Sequence, residues 1–113
     1  MKIWVDDVRP APEGYVWCKS VNETKQAIKT TEKTSVYALM NNKPSIAKTY
    51  WITLIDIDHD AGEFVSDGGD YIKLLDWLEE TGRNYPIRIH SQNPVGIENM
   101  RRIIERNGWE EVK

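Results

Sequence analysis

Trp51-Ile52-Thr53-Leu54-Ile55-Asp56-Ile57-Asp58-His59-Asp60 is the stretch whose reading decides the fold. Trp51 to Ile57 is nearly continuous in apolar residues, as a central strand covered on both faces should be. Asp56 and Asp58 interrupt a run otherwise built for burial. An isolated buried charge is costly, so carboxylates here need a reason. In an extended chain Asp56, Asp58 and Asp60 project to one side.

The same pattern recurs on either side. Ile3-Trp4-Val5 runs into Asp6-Asp7, and Ile87–Ile89 runs into His90-Ser91. Tyr15 to Cys18 is a further strand by its aromatic and branched content. Pro10, Pro12 and Gly14 make Arg9–Gly14 a loop. Helices separate the later strands. Ser20 and Glu23 form a capping-box pattern, predicting a helix over 21–33. Tyr71, Leu74, Leu75 and Leu78 form an apolar stripe, predicting a helix over 70–81 with Gly82 just past its end. Asn93-Pro94 opens a third helix, with Ile97, Met100, Ile103 and Ile104 on one face. Trp109 to Val112 reads as a short last strand. Residues 34–50 are the least legible, apart from a turn at Asn41-Asn42-Lys43-Pro44. Strands alternating with helices predict a mostly parallel sheet with helices on its faces. Ligands in such sheets bind beyond the carboxyl ends of the strands.

Composition narrows the function. The chain has 113 residues, 40% hydrophobic and 29% charged, with a formal charge of −3. One domain spanning 1–113 is expected. No net positive field draws it to duplex DNA or anionic membrane, and no apolar run approaches the roughly 20 residues of a spanning helix. The lone Cys18 reads as a buried strand residue. With no signal peptide in view, the cytoplasm is the expected location. The five tryptophans, Trp4, Trp17, Trp51, Trp77 and Trp109, fall on predicted strands or an apolar helix stripe and read as core.

The candidate chemistry therefore gathers at three strand ends: Asp6, Asp7 and Arg9; Asp56, Asp58, His59 and Asp60; His90, Ser91 and Asn93. Clustered carboxylates repel one another, and a hard cation with oxygen ligands relieves that cost. Asp6 and Asp58 lead as metal ligands, followed by Asp7, with Asp56 in the same set. The bland alternative is that the aspartates cap helices and satisfy loops. His59 and His90, the only histidines, suit proton transfer near neutral pH. Ser66-Asp67-Gly68-Gly69 offers a weak anion-binding loop or a plain connection.

An acidic pair after the first strand, an aspartate at the end of the third and a serine at the end of the fourth resemble the receiver domain of response regulators. Carried over, Asp6 and Asp7 match the metal-holding pair, Asp58 or Asp56 the phosphoacceptor, and Ser91 the residue that senses it. The chain departs from receivers in three ways. It has little room for a first helix between Asp7 and Tyr15, only Lys113 as a match for the lysine after the fifth strand, and two histidines the receiver pattern does not call for. The fuller set Val5-Asp6-Asp7-Val8-Arg9-Pro10, Asp56-Ile57-Asp58-His59-Asp60 and His90-Ser91-Gln92-Asn93-Pro94-Val95-Gly96 is similar to a divergent receiver-like family described as cyclic-phosphate processing.

That resemblance implies a three-layer receiver-like (flavodoxin-like) α/β fold with a sheet of about five strands. It also implies handling of a cyclic phosphate on a nucleotide or RNA end. In the leading reading Mg²⁺ or Mn²⁺ binds the acidic cluster, with Asp58 at the reaction centre. His59 and His90 act as acid and base, and Arg9, Ser91 and Asn93 hold the ligand. A sequestering module that binds a cyclic nucleotide without cleaving it, and a phosphoacceptor switch, are the alternatives.

Overall fold

The computed structural model describes residues 1–113. Four strands, β1 (Lys2–Val5), β2 (Tyr15–Cys18), β3 (Leu54–Ile57) and β4 (Ile87–Ile89), form one sheet in the order β2-β1-β3-β4. All three pairings are parallel. The helices are α1 (Val21–Met40), α2 (Pro44–Thr49), α3 (Ile72–Glu80) and α4 (Pro94–Asn107). A 3-10 turn, Gly62–Ser66, follows β3. No helix is long and apolar enough to cross a membrane.

The receiver-like α/β fold stands, with four strands instead of five and with the helices packed on one sheet face instead of the two faces of the expected three layers. The expected last strand is reduced to one bridge, Glu111 to Ile87. Trp109 is buried there, and Arg101 clamps Glu111 with two guanidinium nitrogens at 2.7 to 3.1 Å. β3 begins at Leu54, not Trp51, and Trp51 is 50% exposed rather than core. The connection over 34–50 is helical: α1 runs on to Met40 and α2 packs back on it, with Ser35 Oγ donating to the Ala47 carbonyl.

The register separates two rows of side chains. Ile3, Val5, Cys18, Ile55, Ile57 and Ile87 face one way and share a core with Val21, Ile28, Leu74, Leu75, Leu78, Met100 and Ile104 from the helices. Right-handed crossovers that step repeatedly in one direction across a sheet put their helices on one face. The other row, Lys2, Trp4, Tyr15, Trp17, Asp56 and Arg88, has no helix from the β1–β2 connection, which is only nine residues, 6–14. Parallel neighbours usually need a longer crossover. Nine residues can nevertheless reach about 30 Å, ample for a strand of four. The loop covers this second face in place of a helix: Trp4 Nε1 donates to the Arg9 carbonyl at 2.8 Å, and Trp17 Nε1 to the Asp6 carbonyl at 2.7 Å.

Candidate functional site

The carboxyl ends of β1, β3 and β4 lie side by side, so the three polar strand ends of the sequence converge. Asp6 follows β1 and is fully buried. Its Oδ1 accepts from the backbone N–H groups of Val8 and Arg9 at 2.9 and 2.8 Å, which turns the chain out of the strand. Burial works to raise the Asp6 carboxyl. The Arg9 and Val8 N–H groups and the contact with His90 outweigh it and hold the group below the ordinary carboxylate value.

Asp6, Asp7 and Asp58 each bring a carboxylate oxygen to one place, all within 4.8 Å of one another. Carboxylate oxygens are the donors a hard divalent cation takes. Gly62, at φ +56°, makes the approach possible: a Cβ there would fall on the Asp7 carboxylate. Gly62→Ala should therefore displace Asp7 and strain the backbone. Its expected cost is about 1–2 kcal/mol by urea unfolding, with weaker Mn²⁺ binding by calorimetry. Unchanged binding would remove Asp7 from the set.

Asp7 carries the repulsion of the cluster. Burial raises its carboxyl above the ordinary 3.8, and the charges of Asp6 and Asp58 raise it further. A carboxyl raised in the folded state is a penalty that develops as pH climbs past its unfolded value and is complete above the folded one. Asp7→Asn should thus raise the melting temperature of the metal-free protein at pH 7, and the gain should fade as pH falls toward 3. A lower melting temperature at pH 7 would mean that Asp7 is held by attraction.

Asp56 does not join this cluster, although the sequence places it among the ligands. It points to the second sheet face, where Oδ1 lies 2.6 Å from His90 Nδ1 and Oδ2 3.3 Å from Arg88 Nη1. His90 Nε2 lies 2.9 Å from Asp6 Oδ2. The imidazole is thus held between two buried carboxylates and stacked on Trp4, ring centroids 3.8 Å apart and planes within 4°. Arg9 Nη1 donates to the His90 carbonyl at 3.1 Å, and its guanidinium is otherwise largely exposed.

His59 stands on the other side of the cluster. Its Nδ1 lies 2.9 Å from Asp60 Oδ1, leaving Nε2 free of protein partners. Gly96 in the first turn of α4 lets the ring lie against that helix, since a Cβ would meet the imidazole carbons. Asn93 caps α4 through Oδ1, which accepts from Gly96 N at 3.0 Å. Its Nδ2 makes long contacts of 3.5 Å to His59 and Asp60. Ser91 Oγ accepts from Asn93 N at 3.1 Å. The glycine-rich loop takes the plain structural role: Asp67 ties it to the start of α1 through Ser20 at 2.5 Å and Asn22 at 3.1 Å. Lys113 pairs with Glu111 at 3.5 Å.

Trp4, Arg88 and Gly62 shape the site without standing out in the sequence as site residues, whereas Gly96 lies in the third quoted motif. Trp4 and Arg88 read there as strand residues, because the partner each meets lies on another strand. A family model described as the cyclic-phosphate processing receiver domain matches residues 1–106. No curated protein and no solved structure matches the chain.

Proposed function

The chain belongs to the cyclic-phosphate processing receiver family, and on that premise we propose that it opens a cyclic phosphate on a nucleotide or RNA end with the help of Mg²⁺ or Mn²⁺. The single observation that carries this reading is the meeting of three carboxylate oxygens from Asp6, Asp7 and Asp58 within 4.8 Å at the carboxyl edge of the sheet. These three residues would hold the ion. Bound there, it would supply a Lewis acid that polarises a phosphoryl oxygen.

The chain's own groups divide the remaining work. His59 is the proton-transfer group: Asp60 engages Nδ1 and so orients Nε2 as the nitrogen that exchanges a proton with water or the leaving oxygen. His90 has a carboxylate on each nitrogen, so it is assigned a positioning role, holding Asp6 in place from behind. Arg9 lies beside Asp6, with guanidinium N–H groups left over for phosphate oxygens. The Ser91 hydroxyl and the Asn93 amide flank the same edge and suit hydrogen bonds to the ligand.

Phosphorus NMR of the protein with a 2′,3′-cyclic nucleotide tests the reading. New monoester signals that require Mg²⁺ or Mn²⁺ are expected. Ligand shifts without product would favour the sequestering module. Metal-dependent labelling of Asp58 by a small phosphodonor, again without monoester, would favour the phosphoacceptor switch.

A further inference from the structure

The second sheet face carries a feature the reaction does not use. Tyr15, Trp17 and Lys19 follow one another on the outer side of the edge strand β2 and its end. Lys2 lies beside them, with its Nζ 5.4 Å from the Tyr15 ring centroid, and Lys19 Nζ lies 4.5 Å from that of Trp17. Both rings are only partly buried; Tyr15 meets the buried Trp4 in a T-shaped contact, centroids 5.9 Å apart, and each ring also has a lysine ammonium near it. Arg9 and Arg88, both exposed, extend the positive row toward the acidic cluster. The acid within the row, Asp56, is buried and paired with His90 and Arg88. A chain of net charge −3 thus gathers on one face two lysines, two exposed arginines that each lie within 4.0 Å of a buried aspartate, and two partly exposed aromatic rings.

We propose that this face is a binding track for single-stranded RNA leading to the cyclic-phosphate end. Single-stranded nucleic acid is held by cations that follow its backbone and aromatic faces on which bases stack, without base readout. Continuity with the site fixes the arrangement. Trp17 Nε1 donates to the Asp6 carbonyl, so the indole adjoins the cluster that would take the phosphate. A terminal nucleotide seated there puts a base against Trp17. Tyr15, two residues along β2 and about 6.6 Å away, receives the preceding one. The bases displace the two lysine ammonium groups from the rings to the phosphates. The inference rests on the proposed reaction only for where the 3′ end lies.

The test is fluorescence anisotropy with labelled RNAs of one to six nucleotides, ending either in a 2′,3′-cyclic phosphate or in a free 3′-hydroxyl. Affinity is expected to rise at least about tenfold from one to three nucleotides. Trp17→Leu should remove most of that gain. The milder double variant Lys2→Gln/Lys19→Gln, which keeps both rings, should lower the salt slope by about 1.4. No gain with length, or a gain that both variants retain, would overturn the track. Equal binding of a glutamate hexapeptide would also overturn it, because charge alone would then account for the affinity. A gain with length on 3′-hydroxyl RNA, without turnover of the cyclic end, would support the track and sink the proposed reaction.

Discussion

Asp58→Asn is expected to lower metal-dependent opening of a cyclic phosphate by more than about a hundredfold in kcat/KM, while the protein stays folded. The argument is electrostatic. Asp58 is only 8% exposed and supplies one of three carboxylates in the cluster. A hard cation is held there by charge, which a neutral amide supplies poorly. Removing a group that organises transition-state charge costs about 10²- to 10³-fold in typical enzymes. The fold has no comparable stake: Asp58 Oδ1 accepts from His59 N at 2.7 Å, and an amide oxygen still accepts that bond, though more weakly. Loss of one of three like charges should leave the metal-free melting temperature unchanged or higher. Turnover at the parent rate would remove Asp58 from the reaction, and a collapsed fold would make it structural.

His90→Ala is expected to do the opposite, costing the fold about 3 kcal/mol, so that its effect on catalysis is read on a weakened protein. The imidazole separates Asp6 from Asp56, both fully buried. Removing it exposes two carboxylates to each other and strips the stacked ring from Trp4. Taking the partner away from a buried carboxylate typically costs about 3–5 kcal/mol, because a buried charge is left uncompensated. Asp6 keeps two backbone N–H donors and Asp56 keeps Arg88, which places the expectation near the low end, about 3 kcal/mol. Urea unfolding at neutral pH measures it. Adding Asp56→Asn should restore part of the loss, because one of the opposed charges is gone. A change below about 1 kcal/mol would mean that His90 is not the partner of these carboxylates.

Much of this arrangement is legible in the sequence. The apolar runs Ile3–Val5 and Leu54–Ile57 announce buried parallel strands, and the polar residues that end them mark the site. Ser20 and Asn93 announce their helices by capping chemistry, and both caps form. The second half of α1 was hidden because its inward face is not apolar. Thr31, Ser35 and Ala38 are buried there, and small polar residues carry no hydrophobic period. Trp51 misled because an aromatic beside a strand looks like part of it, yet the ladder starts three residues later. The separation of Asp56 from Asp58 was also hidden. Strand alternation puts the two on one side, but which of them meets a histidine depends on the neighbour in the next strand, and one sequence does not state sheet order.

The nine-residue link between β1 and β2 also bears on how the chain reaches its native state. Pairing β1 with its other neighbour β3 requires closing 48 residues, 6–53, whereas the β1–β2 pair closes over residues 6–14. Loop-closure entropy costs about 0.6 kcal/mol more per doubling of length, so the short link is favoured by roughly 1 kcal/mol. The β1–β2 pair should accordingly belong to the folding nucleus, while β4 docks late. Mutations at Val16 should slow refolding and those at Ile89 mainly speed unfolding. The reverse pattern in stopped-flow kinetics would place the nucleus around β3 and α3. Asp6 and Asp7 lie inside that early-closing link, so two of the three acids of the cluster take shape before Asp58 arrives.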